Sequence, residues 1–271
     1  MMVAFSGGVD STFLLKMGQD VLGEKVVAAT AQSPTYPKSE YEQARNLAKK
    51  LGVKHIIFST DELNNPDFAV NPPQRCYYCK RELFTKLREL TRKEGLAYVV
   101  DGSNLDDRND FRPGRQAKAE MAIRSPLEEA RLTKSEIRQV SRQMELPTWD
   151  KPARACLASR FPYGEKITTQ KTRVIERAEA YLMGLGLKQI RVRYHGPVAR
   201  IEVGPEDMSI FNDAKFRKKV TRQIKELGFT YVTLDLEGYR TGSMNEVLRY
   251  LPRRHKDTKE MSLRAIAKQS R

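Results

Sequence analysis

The run Ser6-Gly7-Gly8-Val9-Asp10-Ser11-Thr12, directly behind the apolar stub Val3-Ala4-Phe5, leaves the chain few folds. Two adjacent glycines let the backbone turn tightly and aim successive N–H groups at one anion. Ser6, Ser11 and Thr12 add hydroxyl donors at the positive N-terminus of a helix. Phe13, Leu14, Leu15 and Met17 then form an apolar stripe that anchors such a helix to a sheet. The expectation is a phosphate cradle between a strand and a helix, built from residues 6–12. It is not the common kinase or GTPase loop, because the pattern G-x-x-x-x-G-K-[ST] is absent and no lysine directly follows the glycines.

Strands and helices alternate beyond it. Residues 26–31 read as a short buried strand, 39–51 as a helix capped by Ser39 and closed by Gly52, and 55–58 as the next strand. A helix over 81–95 and a strand at 98–100 follow, then the turn-rich Asp101-Gly102-Ser103-Asn104. Alternation of this kind builds a parallel, doubly wound α/β sheet, whose ligands bind beyond the carboxyl ends of the strands. Residues 6–12, the segment after Ala31 with Ser33, and the stretch from Gly102 to Asp107 all fall at such ends. Asp10, Asp106 and Asp107 are candidates for magnesium or its waters, with loop capping as the other reading of the latter two. Thr133-Lys134-Ser135-Glu136 has the spacing of a capping box and opens a further helix.

Past Pro147 the pattern changes. Trp149 to Gly164 is rich in proline, arginine and aromatic residues without a clean period, and reads as a long functional loop or crossing. Residues 168–186 read as an amphipathic helix, 190–194 and 199–203 as alternating strands around His195-Gly196-Pro197, 207–227 as a helix and 231–236 as a third strand. The expected organisation is a nucleotide domain at 1–148, a crossing at 149–166, a smaller α+β substrate or oligomerisation domain at 167–248 and a basic tail at 249–271. Arg191, Arg193 and Arg200 could hold a substrate phosphate and carboxylates by bidentate contacts, although alternating strand arginines also suit a solvated face.

The formal charge of +15 invites a nucleic-acid partner. From Arg249 to Arg271, however, eight Lys or Arg face two acids, so much of the excess lies in the tail. With 39% hydrophobic residues and no uninterrupted apolar run near membrane-spanning length, no membrane span is expected. The first apolar residues run straight into the cradle, which leaves no signal peptide and no lead-in before the first strand, as a truncated or mis-started reading frame would also give. Three cysteines without a secretory signal suit a reducing compartment, and the cytoplasm is expected.

Those cysteines carry the sharpest question. Cys76 and Cys79 form a C-x-x-C pair in an expected loop after Pro72-Pro73, and Cys156 lies in the irregular crossing. A closed structural zinc site needs four ligands, and His55, His195 and His255 sit in unrelated contexts. Three thiolates suit an iron–sulfur cubane with one iron left open to an exogenous sulfide. Alternatively Cys156 alone, activated by Arg154 or Arg160, is a nucleophile or sulfur donor, or the thiols are structural.

The first seven-residue motif resembles the SGG-x-DS loop of the N-type ATP pyrophosphatases, the PP-loop enzymes that cleave ATP between its α and β phosphates. Residues 75–84, 101–107, 112–114, 125–127, 238–243 and above all Ala155-Cys156-Leu157-Ala158-Ser159-Arg160-Phe161-Pro162-Tyr163-Gly164 extend the likeness. Together they resemble the LarE family, the ATP-dependent sulfur transferases that finish a nickel-pincer cofactor. That resemblance implies an adenine nucleotide alpha hydrolase-like fold, ATP and magnesium, and a pyridinium mononucleotide with carboxylates that are adenylated and then thiolated. It implies Cys156 as sulfur donor, either sacrificed to dehydroalanine or joined by Cys76 and Cys79 in holding a [4Fe-4S] cluster that carries sulfide from an unknown source. Arg160 joins the strand arginines as a substrate contact, a homo-oligomer is expected, and nucleic acid is not expected as a partner. Thiolation of tRNA by a related enzyme, and a non-catalytic nucleotide sensor with a structural metal, are the alternatives.

Overall fold

In the computed structural model, which describes residues 1–109, 113–152 and 155–250, the stub at the N-terminus is the strand β1 (Met2–Ala4), buried from both sides. It lies in a parallel sheet of order β3-β2-β1-β4, with β2 at Val27–Gln32, β3 at Lys54–Ser59 and β4 at Val99–Val100. Period-two alternation distributes β1 between two cores. Val3 faces a layer with Phe13, Leu14 and Leu15 of α1 (Val9–Leu22) and Ala44, Leu47 and Ala48 of α2 (Lys38–Lys50). Met2 faces the opposite layer. The short α3 (Pro66–Ala69) precedes α4 (Arg75–Lys93), whose Phe84 and Leu87 join Met2 there. Helices on both faces of a parallel sheet are the doubly wound arrangement expected above.

Two boundaries differ from the sequence reading in ways that matter. Pro37, not Ser39, precedes α2 and gives no side-chain cap; the Glu176 carboxylate accepts from the Lys38 N–H at 2.6 Å in its place. Helix α4 starts at Arg75 instead of residue 81, so Cys76 and Cys79 sit within its first five residues, not in a loop. The aromatic and basic residues between Cys76 and Arg81 obscured a period that tertiary packing of Phe84 and Leu87 nevertheless enforces.

After α5 (Gly114–Glu120) and α6 (Pro126–Glu129), α7 (Lys134–Gln143) opens with the full capping box: the Thr133 hydroxyl accepts from the Glu136 N–H and the Glu136 carboxylate accepts from the Thr133 N–H. Thr133→Ala is expected to lower unfolding free energy by about 1 kcal/mol, read from urea melts, as loss of an N-cap does elsewhere.

The second sheet has order β5-β6-β7. Helix α8 (Thr169–Gly184), capped by Thr168, packs on the antiparallel pair β5 (Ile190–His195) and β6 (Val198–Val203), and β7 (Tyr231–Leu234) adds in parallel. The expected helix over 207–227 is instead a 3-10 stretch, Pro205–Asn212, followed by α9 (Ala214–Glu226), because Asp213 stops the first and caps the second. The core of this sheet takes in Phe68 of α3 and Leu157, Ala158 and Phe161 of the crossing, so the crossing is packed core as well as connection. Both sheets lie in one compact unit, Met1–Tyr239; the rest of the chain is a second unit whose described part holds a short helix, α10 (Val247–Tyr250). Among the described residues no helix is long and apolar enough to cross a membrane.

Candidate active site

The turn from β1 into α1 places the cradle. Gly7 adopts φ +68°, and a Cβ there would stand 3.1 Å from Cα and Cβ of Ala44 on α2. A residue without a side chain is therefore required twice over, by backbone conformation and by close approach. Gly102 has the same role from the other side, since its Cβ would lie 2.9 Å from the Ser11 backbone nitrogen. The loop after β4 is thereby held against the start of α1. Gly8 precedes α1 with no side-chain cap, which leaves the first N–H groups of the helix available to an anion.

Two of the three cradle hydroxyls, those of Ser6 and Ser11, meet. Ser6 Oγ lies 3.1 Å from Ser11 Oγ and accepts from the Gly8 N–H at 3.4 Å, and Ser11 Oγ donates to the Gly8 carbonyl at 3.3 Å. Thr12 Oγ1 is buried without a hydrogen-bond partner. Two lysines with no site role in the sequence reading border the cradle. Lys134 pairs with the Asp10 carboxylate, to which Asn104 Nδ2 also donates at 3.3 Å. Lys151 Nζ donates to the Gly7 carbonyl at 3.1 Å and to Glu40 at 2.8 Å. Asp106 accepts from the Lys134 backbone N–H at 2.9 Å and Asp107 from that of Asn104 at 3.1 Å, which are capping contacts.

At the end of β2, Ser33 and Thr35 both donate their hydroxyls to one oxygen of Glu62, which is 2% exposed. The other oxygen, Oε2, is buried without a hydrogen-bond partner. Thr35 passes its carbonyl to the Leu157 N–H at 2.8 Å, so the turn after β2 fixes the residue next to Cys156. Tyr36 closes the same turn, its backbone N–H donating to the Ser33 carbonyl at 3.1 Å. Burial, with Cys156 and Glu40 nearby, pushes its phenol up to about 12. Sequence reasoning missed Tyr36, Glu62 and Lys151 because no local motif marks them, and it took Lys134 only as part of the capping box at 133–136.

The thiols stand on two elements, Cys76 and Cys79 on α4 and Cys156 in the crossing. Cys76 is exposed, while Cys79 and Cys156 are partly buried against the second sheet's core. Burial pushes the Cys79 thiol up, and Glu62, Cys156 and Cys76 act on it in the same direction, so Cys79 lies within electrostatic reach of both other cysteines. Asn71 and Arg75 stitch the crossing to α4: Asn71 Nδ2 donates to the Pro162 carbonyl at 2.6 Å, Arg75 Nη1 donates to Asn71 Oδ1 at 2.9 Å, and the guanidinium covers the Tyr163 ring at 4.8 Å. Among the described residues no three His, Cys, Asp or Glu side chains form a group that could hold a metal ion.

The expected substrate arginines are more buried than a solvated face allows. Arg160, 2% exposed, makes a bidentate pair with Glu179 at 2.9 Å on both arms and donates Nη1 to the carbonyls of Ala155 and Cys156 at 2.8 and 3.1 Å. Burial opposes its charge, and Glu179 more than offsets this. Arg193 and Arg200 converge on Glu202, at 2.6 and 3.0 Å. Arg191 lies over the Tyr239 ring at 5.0 Å, its pKa lowered by burial and by Arg160. A cavity of about 120 Å³ lies beside Arg160 and Arg191, closed by Pro37, Ala155, Leu157 and α8. Arg112 and Arg154 lie outside the described residues, as does the tail beyond 250.

Residues 1–69 match the family model described as NAD synthase. The chain is 47% identical to an uncharacterized protein of Synechocystis sp., over 91% of this chain and 92% of that one. It is 41% identical to the pyridinium-3,5-bisthiocarboxylic acid mononucleotide synthase of Lactiplantibacillus plantarum, over 91% of this chain and 89% of the relative. A more distant likeness, 29% over 38% of this chain and 32% of the relative, is to the tRNA-specific 2-thiouridylase MnmA of Treponema denticola.

Proposed function

The chain belongs to the LarE family of ATP-dependent sulfurtransferases built on a PP-loop fold, and from that premise we propose that it adenylates and thiolates the carboxylates of pyridinium-3,5-biscarboxylic acid mononucleotide. The observation that carries the reading is that the turn after β2, on the strand next to the one that leads into the phosphate cradle, holds the Cys156 segment through the Thr35 carbonyl, which accepts from the Leu157 N–H at 2.8 Å.

The chemistry runs in two steps. A substrate carboxylate oxygen attacks the α-phosphorus of ATP, the bond to the β-phosphate oxygen breaks, and pyrophosphate leaves into the N–H groups at the start of α1. A sulfur nucleophile then attacks the adenylated carbonyl carbon, and AMP departs with the former carboxylate oxygen. Sulfide leaves a thiocarboxylate directly, whereas the Cys156 thiolate leaves a thioester that releases the thiocarboxylate when the Cys156 α-proton is lost and its Cβ–S bond breaks, giving dehydroalanine. Lys134 and Lys151 offset developing negative charge at the cradle, and Asp10 supplies an oxygen ligand suited to magnesium. Arg191, Arg193 and Arg200 are the proposed contacts for the mononucleotide's anionic groups. Arg160, with its donors taken by Glu179 and by the carbonyls around Cys156, shapes the donor segment.

Cys76, Cys79 and Cys156 supply soft thiolate donors, and the proximity of Cys79 to both others supports their holding a [4Fe-4S] cluster. Such a cluster leaves one iron without a protein ligand and so supplies a place for transferable sulfide. Sacrificial donation by Cys156 is the second reading, favoured by the absence of a preformed metal-binding group among the described residues.

The test is product analysis with purified enzyme, ATP and the mononucleotide. AMP, pyrophosphate and thiocarboxylate are expected in equal amounts per carboxylate, without RNA. Release of ADP, or thiolation of tRNA with the mononucleotide ignored, overturns the assignment. After anaerobic reconstitution with iron and sulfide, several turnovers at unchanged intact mass support the cluster. Loss of the mass of one hydrogen sulfide at Cys156 supports sacrifice.

A further inference from the structure

Beyond the end of β1 the sheet keeps hold of the chain through two consecutive residues of β2. The Phe5 N–H donates to the Ala29 carbonyl at 2.8 Å, and the Phe5 carbonyl accepts from the buried Thr30 hydroxyl at 2.7 Å. Behind that hydroxyl stands His55 of β3, with Nε2 2.8 Å from Thr30 Oγ1 and its ring edge-on to the Phe5 ring at 6.0 Å between centroids. On the far side of the same peptide, the Ser6 N–H donates to Ser11 Oγ at 3.3 Å. The Phe5–Ser6 peptide, which opens the cradle, is therefore gripped at both ends. Neither Thr30 nor His55 belongs to the run at residues 6–12.

We propose that Thr30 and His55 are positioning residues for nucleotide binding, acting on the phosphate cradle through the Phe5–Ser6 peptide. Counting protons fixes the direction of the relay. A carbonyl oxygen can only accept, so the single Thr30 hydroxyl proton lies toward Phe5. Thr30 Oγ1 is left as an acceptor toward His55, and the ring nitrogen facing it carries a hydrogen. Donation from the ring polarises the hydroxyl and tightens its hold on the Phe5 carbonyl. A peptide is planar, so fixing its oxygen fixes the aim of its N–H as well. That N–H occupies Ser11 Oγ as a donor, which leaves the Ser11 proton directed at the Gly8 carbonyl at 3.3 Å and able to turn to a phosphate oxygen. Without the Thr30 hydroxyl the peptide can rotate, the Ser6 N–H leaves Ser11, and the N–H groups of the turn through Gly7 and Gly8 no longer meet at one anion. This inference rests on the cradle being the ATP site.

The test is titration calorimetry of the full chain with magnesium and α,β-methylene ATP, on variants that circular dichroism shows to be folded. Thr30→Val keeps the shape of the side chain and removes its hydroxyl, and is expected to bind ~10-fold more weakly, the fold-change that one hydrogen bond at the upper end of its usual worth converts to. Thr30→Ser keeps the hydroxyl and loses the methyl group. It should bind within ~2-fold of the wild type, a rescue that a packing role for Thr30 would not give. His55→Leu is expected to weaken binding ~3-fold, and Thr30→Val with His55→Leu no further than Thr30→Val alone, because the two side chains act as one unit. If Thr30→Val does not fold, His55→Leu decides the matter. Binding by Thr30→Val within ~2-fold of the wild type overturns the inference, as does a Thr30→Ser as weak as Thr30→Val, a His55→Leu as tight as the wild type, or a double variant in which the two losses multiply. A wild type that binds no nucleotide overturns the ATP reading itself.

Discussion

Gly7→Val is expected to reduce ATP-dependent AMP formation by ~10²–10³-fold, the loss seen when preorganised donors to a transition-state anion are removed. The cradle depends on φ +68° at this position, where a β-branched residue is a steric outlier, and on the 3.1 Å approach of Ala44. The new side chain pushes the turn away from α2, and the N–H groups that should converge on one phosphate diverge. Gly95→Val supplies the comparison: its φ of +65° is equally unfavourable, but nothing lies within 4 Å of an added Cβ. That variant should lose about 1 kcal/mol of stability and keep its activity. Equal activity in the two variants would show that close packing against α2 has no part in nucleotide turnover.

Glu179→Ala is expected to destabilise the protein by about 3–5 kcal/mol in urea melts, the usual consequence of leaving one member of a buried ion pair without its partner. Arg160 loses both carboxylate arms while remaining among Leu157, Phe161 and α8, and the Val192 N–H loses its acceptor at 3.0 Å. Because Arg160 also holds the Ala155 and Cys156 carbonyls, sulfur transfer should fall more steeply than AMP formation among the molecules still folded. Double replacement by apolar residues, Arg160→Met with Glu179→Leu, should recover much of the stability and little of the sulfur transfer. A double variant with normal transfer would show that the pair serves folding alone.

Local chemistry was legible wherever one segment contained all of it. The strand–turn–helix at residues 2–22, the capping box at Thr133 and the hairpin around Gly196 each depend on neighbours in sequence, and each formed as the residues dictate. The helical start around Cys76 and Cys79 was obscured, because what makes it helical is packing of α4 two turns further on. The strand arginines alternate in sequence as a solvated face would, because Glu202 neutralises Arg193 and Arg200 only once β5 and β6 pair. Glu62 and Lys151 were invisible for the same reason: their partners lie 27 to 144 residues away in the chain.

Placing the C-x-x-C pair on a helix also bears on descent. The residues that hold α4 in the fold, Phe84, Leu87 and Thr91, all come after the pair, and Arg75 with its stitch to Asn71 comes before it. Cys76 is exposed, and Cys79 contributes one small side chain to the edge of a large core. Two point substitutions on a single helical turn could therefore add or remove both thiols while the sheet, the cradle and the Cys156 segment stay where they are. A lineage carrying this scaffold can move between one-cysteine and three-cysteine states without passing through an unfolded intermediate, which makes the pair an evolutionary variable on a fixed frame.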